Sequence, residues 1–479
     1  MHSNITYKIL RLIIPLPSEQ ILKEKYDQQL RVTKENFLNS NQIKIILEEF
    51  RKELECDDEI YSTIAYDSAT VDAENSEDNN LFVFNMQPFK GSIKSQIVQL
   101  FQNSTGRTDE SVKRIIDEIT EEGLKYGIHF LFSSTDGETG TNAIHKNFFS
   151  YIESLSTTDF DQIVDEIKSY DSLIPISDWY HILKDMRGRY GRNNIAMFPN
   201  APIFNAKELN EYLQLDDLVI SAKGPAAMRD DIALHLFNSE NLEILAENDL
   251  FCPFAFLLPY TIVTIAINSS ILTAESRYNL IKVAFNTFLL LRKNCKTLRS
   301  RTSRKNPNVE VKFSEEVMCQ RTINTLIALG YSLKYYSDDL KISRLFTHTV
   351  EYIFGYMRRL SYGKDSDKVA INALAKQQLA KEILRKYNLE SIYIRGRIND
   401  SDDNIENITS SWTLNIDQIS FDIIPQEIVQ LMNEEIEFQS TETSKLLNFI
   451  HENTPSEVPS ISSRKRKGDA IRSRQQAYH

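Results

Sequence analysis

The sequence predicts an α/β fold with a mixed-sheet core that is interrupted by a large all-α insertion. A helical N-terminal segment is expected before this core and a disordered C-terminal tail after it. Up to about residue 190, short β-prone runs alternate with helical patterns. From about residue 205 to 345, apolar residues recur at helical spacing almost throughout. The 479 residues, 41% of them hydrophobic, suffice for two or three domains.

Changes in periodicity and composition divide the chain into five predicted parts. The β-prone texture begins near Tyr61, and the chain becomes acidic and polar after about Asn399. The parts are a helical N-terminal segment, 1–55; the first part of the core, 56–190; the helical insertion, 191–345; the C-terminal helix of the core, 346–400; and an acidic segment with a basic disordered tail, 401–479.

The first part of the core begins with a predicted β-hairpin. The runs STIAYDSATV and LFVFNMQPF flank the polar turn AENSEDNN. A helix is expected over about 109–126, where apolar residues recur at helical spacing, and the run IHFLFSS predicts the next strand. A crossover from the hairpin through this helix would bring the strand in parallel to its neighbour.

Further elements follow along the chain. HKNFFSYIESL and DFDQIVDEIKSY have helical patterns, SLIPIS resembles a short strand, and DWYHILKDMRGRYGR follows it. The apolar stretch from Phe251 to Ile267 has roughly the minimum length of a membrane span, but Pro253 and Pro259 interrupt it. We therefore expect a buried helix there and no membrane partner.

Three acidic residues are the strongest candidates for a catalytic site. Asp67 and Asp136 end apolar runs that predict strands, and ligand sites collect at such strand ends in α/β sheets. Glu351 lies in a helical pattern and shares one face with Gly355 and Arg358. Arg358 could contact a phosphate beside the carboxylates.

A strand, strand, helix trio of carboxylates is how an RNase H-like nuclease or transposase holds two divalent metal ions. Such ions promote phosphoryl transfer from positions roughly 3.5–4 Å apart, and oxygen ligands favour Mg²⁺ or Mn²⁺. Each residue also has a structural interpretation. Asp67 could lie in a turn, Asp136 begins a common Asp-Gly turn dipeptide, and Glu351 could be a solvated helix position.

A polar repeat accompanies the trio. Asp178, His181 and Lys184 recur at every third position, so a helix would place them along one side. They could reach a phosphate or orient a metal-binding carboxylate. Alternatively, Asp178 stabilises a helix N-terminus and the other two are solvated.

Basic residues are concentrated in two places. The 55 Lys and Arg against 67 Asp and Glu give a net charge of −12, which argues against a broadly basic surface. The tail Arg464–Lys467 is typical of a nuclear-localisation or nucleic-acid arm, which predicts a nuclear protein. The best candidates for contact with a DNA backbone are Arg292, Lys293, Lys296, Arg299, Arg301, Arg304 and Lys305.

Five segments together resemble DDE transposases of the P-element and THAP-domain type. They are YKILRLIIPLPS (residues 7–18), IAYDSATVD, STDGETGTN, DWYHILKDMR and HTVEYIFGYMRR. In that family a PLPS segment precedes a strand aspartate, and an S-D-G-x-x-x-N turn carries the second aspartate. A D-x-x-H-x-x-K element follows, and an E-x-x-F-G-x-x-R helix supplies the glutamate. The resemblance spans residues 7 to about 363.

The resemblance implies an RNase H-like core, a large helical insertion before the glutamate, and catalytic and metal-binding roles for Asp67, Asp136 and Glu351. No cysteine precedes Cys56, so we expect the family's N-terminal zinc DNA-binding module to be lacking. The P-element branch holds GTP in its insertion. The sequence has no G-x-x-x-x-G-K-[ST] loop, so GTP is implied by resemblance only.

Three functions remain open from the sequence. The first is Mg²⁺-dependent cleavage and joining of DNA strands by a transposase-like nuclear protein. The second is a domesticated or decayed relative that binds DNA or protein without catalysis. The third is a helical scaffold that forms homo-oligomers through its amphipathic N-terminal helices.

Overall fold

The architecture comes from a computed structural model. It describes residues 41–53, 58–71, 79–93, 95–103, 109–136, 142–192, 194–196, 203–216, 219–220, 229–294, 296–302, 310–316, 320–351 and 353–354. Most of the predicted N-terminal helical segment, the acidic segment and the basic tail lie outside these residues, as do Arg304, Lys305 and Arg358.

A five-stranded mixed sheet forms the first part of the fold. Its strands, in the order β3-β2-β1-β4-β5, are joined antiparallel from β3 to β1 and parallel from β1 to β5. The predicted hairpin, crossover helix and parallel strand are all confirmed, whereas β3 was not predicted. The strands are β1 (Ile60–Val71), β2 (Asn79–Pro88), β3 (Gln96–Asn103), β4 (Ile128–Thr135) and β5 (Ile174–Ser177).

Helices cover both faces of this sheet. Helices α1 (Asn41–Glu53) and α2 (Asp109–Lys125) pack on one face, where Ile64, Tyr66 and Phe84 of the strands join the core. The opposite face contributes Phe132 and Ile176 to a larger core that continues into the helical part. On that side lie α3 (Asn142–Ser154), α4 (Phe160–Glu166) with a 3₁₀ turn (Ile167–Ser169), and α5 (Trp179–Arg192).

The part predicted as an all-α insertion contains helices and a second sheet. The helices are α6 (Ala206–Leu213), α7 (Asp230–Leu234), α8 (Ser239–Glu247), α9 (Phe251–Asn268), α10 (Ala274–Asn294) and α11 (Gln320–Tyr336). Helix α9 is the predicted buried apolar helix. No helix among the described residues is long and apolar enough to cross a membrane.

The second sheet corrects the all-α prediction. Its antiparallel strands, in the order β7-β6-β8-β9, are β6 (Asn194–Ala196), β7 (Ile203–Phe204), β8 (Lys296–Thr302) and β9 (Glu310–Glu316). Each strand is short. The sequences of β8 and β9 are rich in charged residues and lack the clear apolar alternation that predicts a strand. Pairing between segments about 100 residues apart in sequence is not visible in local periodicity.

The chain returns to the first sheet after α11. A 3₁₀ turn (Ile342–Leu345) is followed by helix α12, described at residues 348–351 and 353–354. The backbone N–H of Lys341 donates to the carbonyl of Phe89 at 3.0 Å, and the Gln87 side chain donates to the carbonyl of Phe346 at 3.0 Å. These bonds attach the segment before α12 to the end of β2, and Glu351 lies in a helix as predicted.

Candidate active site

Asp67 and Asp136 lie just beyond the last pair of the parallel strands β1 and β4. Asp136 directly follows β4, as predicted, whereas Asp67 lies within β1, which continues to Val71 in its pairing with β2 and so does not end at the aspartate. Ala65 of β1 is paired with Ser134 of β4. Asp67 comes two residues after Ala65, and Asp136 comes two residues after Ser134. Because side chains two residues apart in a strand point to the same face, this register brings both aspartates to one face of the sheet. Both residues are partly exposed, and one oxygen of Asp67 accepts from the Ser68 N–H at 2.7 Å.

Asp178 is a third aspartate at the same edge. Thr135 of β4 is paired with Ser177 of β5, and the N–H of Asp178 donates to the Thr135 carbonyl at 2.9 Å. Asp178 is therefore the neighbour of Asp136. Its Oδ1 accepts from the N–H of Tyr180 at 2.9 Å and caps α5, as the helix N-terminus interpretation predicts.

The other oxygen of Asp178 binds the segment that carries Glu351. Oδ2 accepts from both the N–H and the hydroxyl of Thr347 at 2.9 Å, and His348 Nδ1 lies 3.4 Å away. Asp178 is only 1% exposed. Burial alone would raise the pKa of this carboxyl, but the charge of His348 lowers the pKa below its usual range. Burial opposes the charging of His348, yet Asp178 raises the pKa of His348 to about 9.

His181 binds Glu351 directly. His181 lies one helical turn beyond Asp178, and its Nε2 is hydrogen-bonded to Oε1 of Glu351. Burial lowers the pKa of His181, but the Glu351 hydrogen bond and the charge of Asp178 outweigh burial and raise this pKa to about 9. Burial raises the pKa of Glu351, and the bond to His181 brings it below its ordinary value. The two side chains therefore form an ion pair at neutral pH.

Lys184 connects the same face of α5 to helix α7. Its Nζ lies 2.8 Å from Oδ1 of Asp230, and the lysine side chain is 7% exposed. Burial lowers the pKa of Lys184, but Asp230 and Glu351 raise it above its ordinary value. The predicted polar repeat is thus brought together, and each member binds a different acidic or polar partner.

The described residues do not form the predicted metal site. Within the described parts of the chain, no group of three or more His, Cys, Asp and Glu side chains could hold a metal ion. Glu351 is bound by His181, while Asp67 lies within β1 and Asp136 directly follows β4. As placed, these side chains do not fit a shared three-carboxylate ion site.

The predicted DNA-contacting residues lie on two elements. Arg292 and Lys293 are in the last turn of α10, and Lys296, Arg299 and Arg301 are on β8. Within β8, Arg299 and Arg301 stand two positions apart.

Three site residues were missed from the sequence: Asp230, Thr347 and His348. Thr347 carries a usable signal, because threonine directly before a helical pattern is a favoured N-cap. Nothing local identifies Asp230 or His348, since their partners Lys184 and Asp178 are distant in sequence.

Comparisons with known proteins identify no relative. No protein-family model, no curated protein and no solved structure matches this chain. The fold is α/β with a five-stranded mixed sheet, and its function has to be inferred from the sheet and the site.

Proposed function

We propose that this chain is an RNase H-like protein of the DDE transposase kind that cleaves and joins DNA strands, with Asp67, Asp136 and Glu351 as its catalytic carboxylates. The observation that carries the proposal is the register of β1 and β4, in which Asp67 and Asp136 each lie two residues beyond the same pair, Ala65 and Ser134. The third carboxylate, Glu351, is connected to these strands through His181 and the Asp178 cap.

The order of elements supports the same proposal. A three-stranded antiparallel meander is followed by two parallel strands, as an RNase H-like core requires. The glutamate helix returns to this sheet only after the long part that contains α6 to α11. A large insertion between the second aspartate and the glutamate is what resemblance to P-element and THAP-domain transposases implies.

The proposed metal ion is Mg²⁺ or Mn²⁺, because the resemblance implies it and because these ions prefer oxygen ligands. The ions are assigned no position, because the described side chains do not gather around a shared ion site. GTP is implied by the resemblance alone. The proposed partner is DNA, and the proposed location is the nucleus, on the basis of the basic tail.

The proposed DNA contact lies on β8. Arg299 and Arg301 both belong to this strand, and neutralised phosphates release counterions, so binding should weaken as salt rises. Replacing both arginines by alanine should reduce the salt dependence by about two phosphate contacts. The exposed Lys207→Ala variant is the control and should bind DNA as the wild type does.

Purified full-length protein tests the catalytic proposal directly. Incubated with DNA and Mg²⁺ or Mn²⁺, it should nick or join strands, and Asp136→Asn should reduce the rate by on the order of a thousandfold or more. Asp171→Asn, at an exposed loop position, is the matched control and should retain activity. Activity that survives Asp136→Asn would refute the assignment, as would inactive wild-type protein.

A second candidate function is binding of DNA or protein without catalysis. It is favoured by the ion pair of His181 with Glu351, which occupies a carboxylate that catalysis would need. A non-catalytic protein would bind DNA in a salt-sensitive way, and Asp67→Asn and Glu351→Gln would leave that binding unchanged. No strand cleavage by the wild type, together with such binding, would favour this candidate.

A further inference from the structure

One buried carboxylate is bound to the starts of two helices. Asp178 stands directly before α5, where its Oδ1 accepts from the N–H of Tyr180. Its Oδ2 accepts two bonds from Thr347, the residue directly before α12. The first N–H groups of a helix have no partner within the helix, so the side chains that bind near them help to fix where the helix begins.

The bonds continue from Thr347 to the backbone of Glu351. The carbonyl of Thr347 accepts from the N–H of Val350 at 2.8 Å and from the N–H of Glu351 at 3.0 Å. Thr347 is fully buried, and Asp178 binds both its N–H and its hydroxyl. A displacement of Thr347 would therefore displace the first turn of α12 and with it the glutamate.

Two more contacts attach the same short segment. The Gln87 side chain binds the carbonyl of Phe346, directly before Thr347, and His181 binds the Glu351 side chain. His181 is one turn beyond the Asp178 cap on α5, so Asp178 also fixes the helix that presents His181. Both the backbone and the side chain of Glu351 thus depend on the position of Asp178.

We propose that Asp178 is a positioning residue, which holds Glu351 in place by capping α5 and at the same time binding Thr347, the residue directly before α12. The proposal rests on the proposed function for its catalytic consequence, but its structural consequence can be measured independently. Asp178 does not itself act on the substrate in this proposal.

The α5 cap and the bonds to Thr347 together require a carboxylate. An asparagine has one acceptor oxygen, and its amide nitrogen is a donor that cannot accept from Thr347 or Tyr180. Asp178→Asn should therefore keep either the α5 cap or the bonds to Thr347 and lose the other. A buried N–H left without a partner is costly, so the helix start that loses these bonds should open more often.

Hydrogen exchange of the full-length protein distinguishes this role from general stabilisation. In Asp178→Asn, the amides of residues 347–351 or those of 180–183 should exchange about tenfold faster or more, while those of β1 and β4 should keep their wild-type rates. Asp159→Asn is the matched control, because Asp159 caps α4 through the N–H of Gln162 at 2.8 Å and is exposed. It should leave the amides of 347–351 unchanged.

Thr347 provides a second variant pair in case Asp178→Asn does not fold. Thr347→Val removes the hydroxyl at nearly constant volume and should speed exchange at residues 348–351, whereas Thr347→Ser keeps the hydroxyl and should behave as the wild type. Wild-type exchange across 347–351 in both Asp178→Asn and Thr347→Val would overturn the proposal, as would equal effects of Thr347→Val and Thr347→Ser.

Strand-cleavage kinetics test the catalytic consequence. Asp178→Asn and Thr347→Val should lower kcat about tenfold to a hundredfold and leave KM for DNA unchanged, because substrate binding does not use them. A change confined to KM would contradict a positioning role. Should the wild type cleave no DNA, the proposed function fails, and the exchange measurements alone decide whether Asp178 holds Glu351 in place.

Discussion

The ion pair of His348 with Asp178 should make stability depend on pH. Asp178, together with the charges of Asp230 and Glu351, outweighs burial and raises the pKa of His348 from 6.5 to about 9. At about 1.4 kcal/mol for each unit of pKa, this corresponds to about 3 kcal/mol of unfolding free energy. Because the folded pKa is the higher one, the contribution is complete below pH 6.5, decreases as the pH rises to about 9, and is absent above that.

His348→Gln isolates this contribution, because glutamine is polar but does not titrate. The difference in unfolding free energy between wild type and variant, from urea denaturation, should be about 3 kcal/mol larger at pH 6 than at pH 10. His129→Gln is the control, since His129 pairs with Glu59 at 3.6 Å near the opposite end of β4.

Proton NMR of the imidazole tests the same reasoning without unfolding. In the wild type, the His348 resonance should titrate near pH 9, and in Asp178→Asn it should move towards 6.5. A wild-type resonance that titrates near 6.5 would refute the assignment of charge. So would a difference between wild type and His348→Gln that stays constant from pH 6 to pH 10.

Two further predictions concern packing and charge. Gly330→Ala should lower the unfolding free energy by about 1–3 kcal/mol, because the added Cβ would lie 2.4 Å from the buried ring of Phe160; unchanged urea denaturation would contradict this packing. Lys184→Met should cost about 1–3 kcal/mol by leaving the partly exposed Asp230 without its partner, and adding Asp230→Asn should restore part of the loss. A double variant no more stable than Lys184→Met would show that the ion pair is not the cause.

Much of the first sheet could be predicted from sequence. The hairpin, α2, β4 and the short strand β5 can each be recognised from the spacing of apolar residues within their own segment. The second sheet could not be predicted in the same way. Strand β6 has three residues and pairs with β8 about 100 positions later, so its partner, and not its own sequence, decides that it is a strand.

In the candidate site, too, some residues could be predicted from local sequence and others could not. Asp67 and Asp136 could be selected because each ends an apolar run, and Glu351 because it lies in a helical pattern. The roles of the supporting residues could not be predicted. The sequence left open whether Asp178 caps a helix or orients a catalytic group, and the described contacts show it as a cap for α5 and a partner of Thr347.

By itself, the sequence determined four of the five strands of the first sheet and the helix α2, because these depend on side-chain periodicity along the chain. Only the tertiary structure decided that Asp178 and Thr347, 169 residues apart, share hydrogen bonds and that Glu351 pairs with His181. Such contacts form when buried polar groups need partners, and packing rather than sequence order determines which partners are within reach.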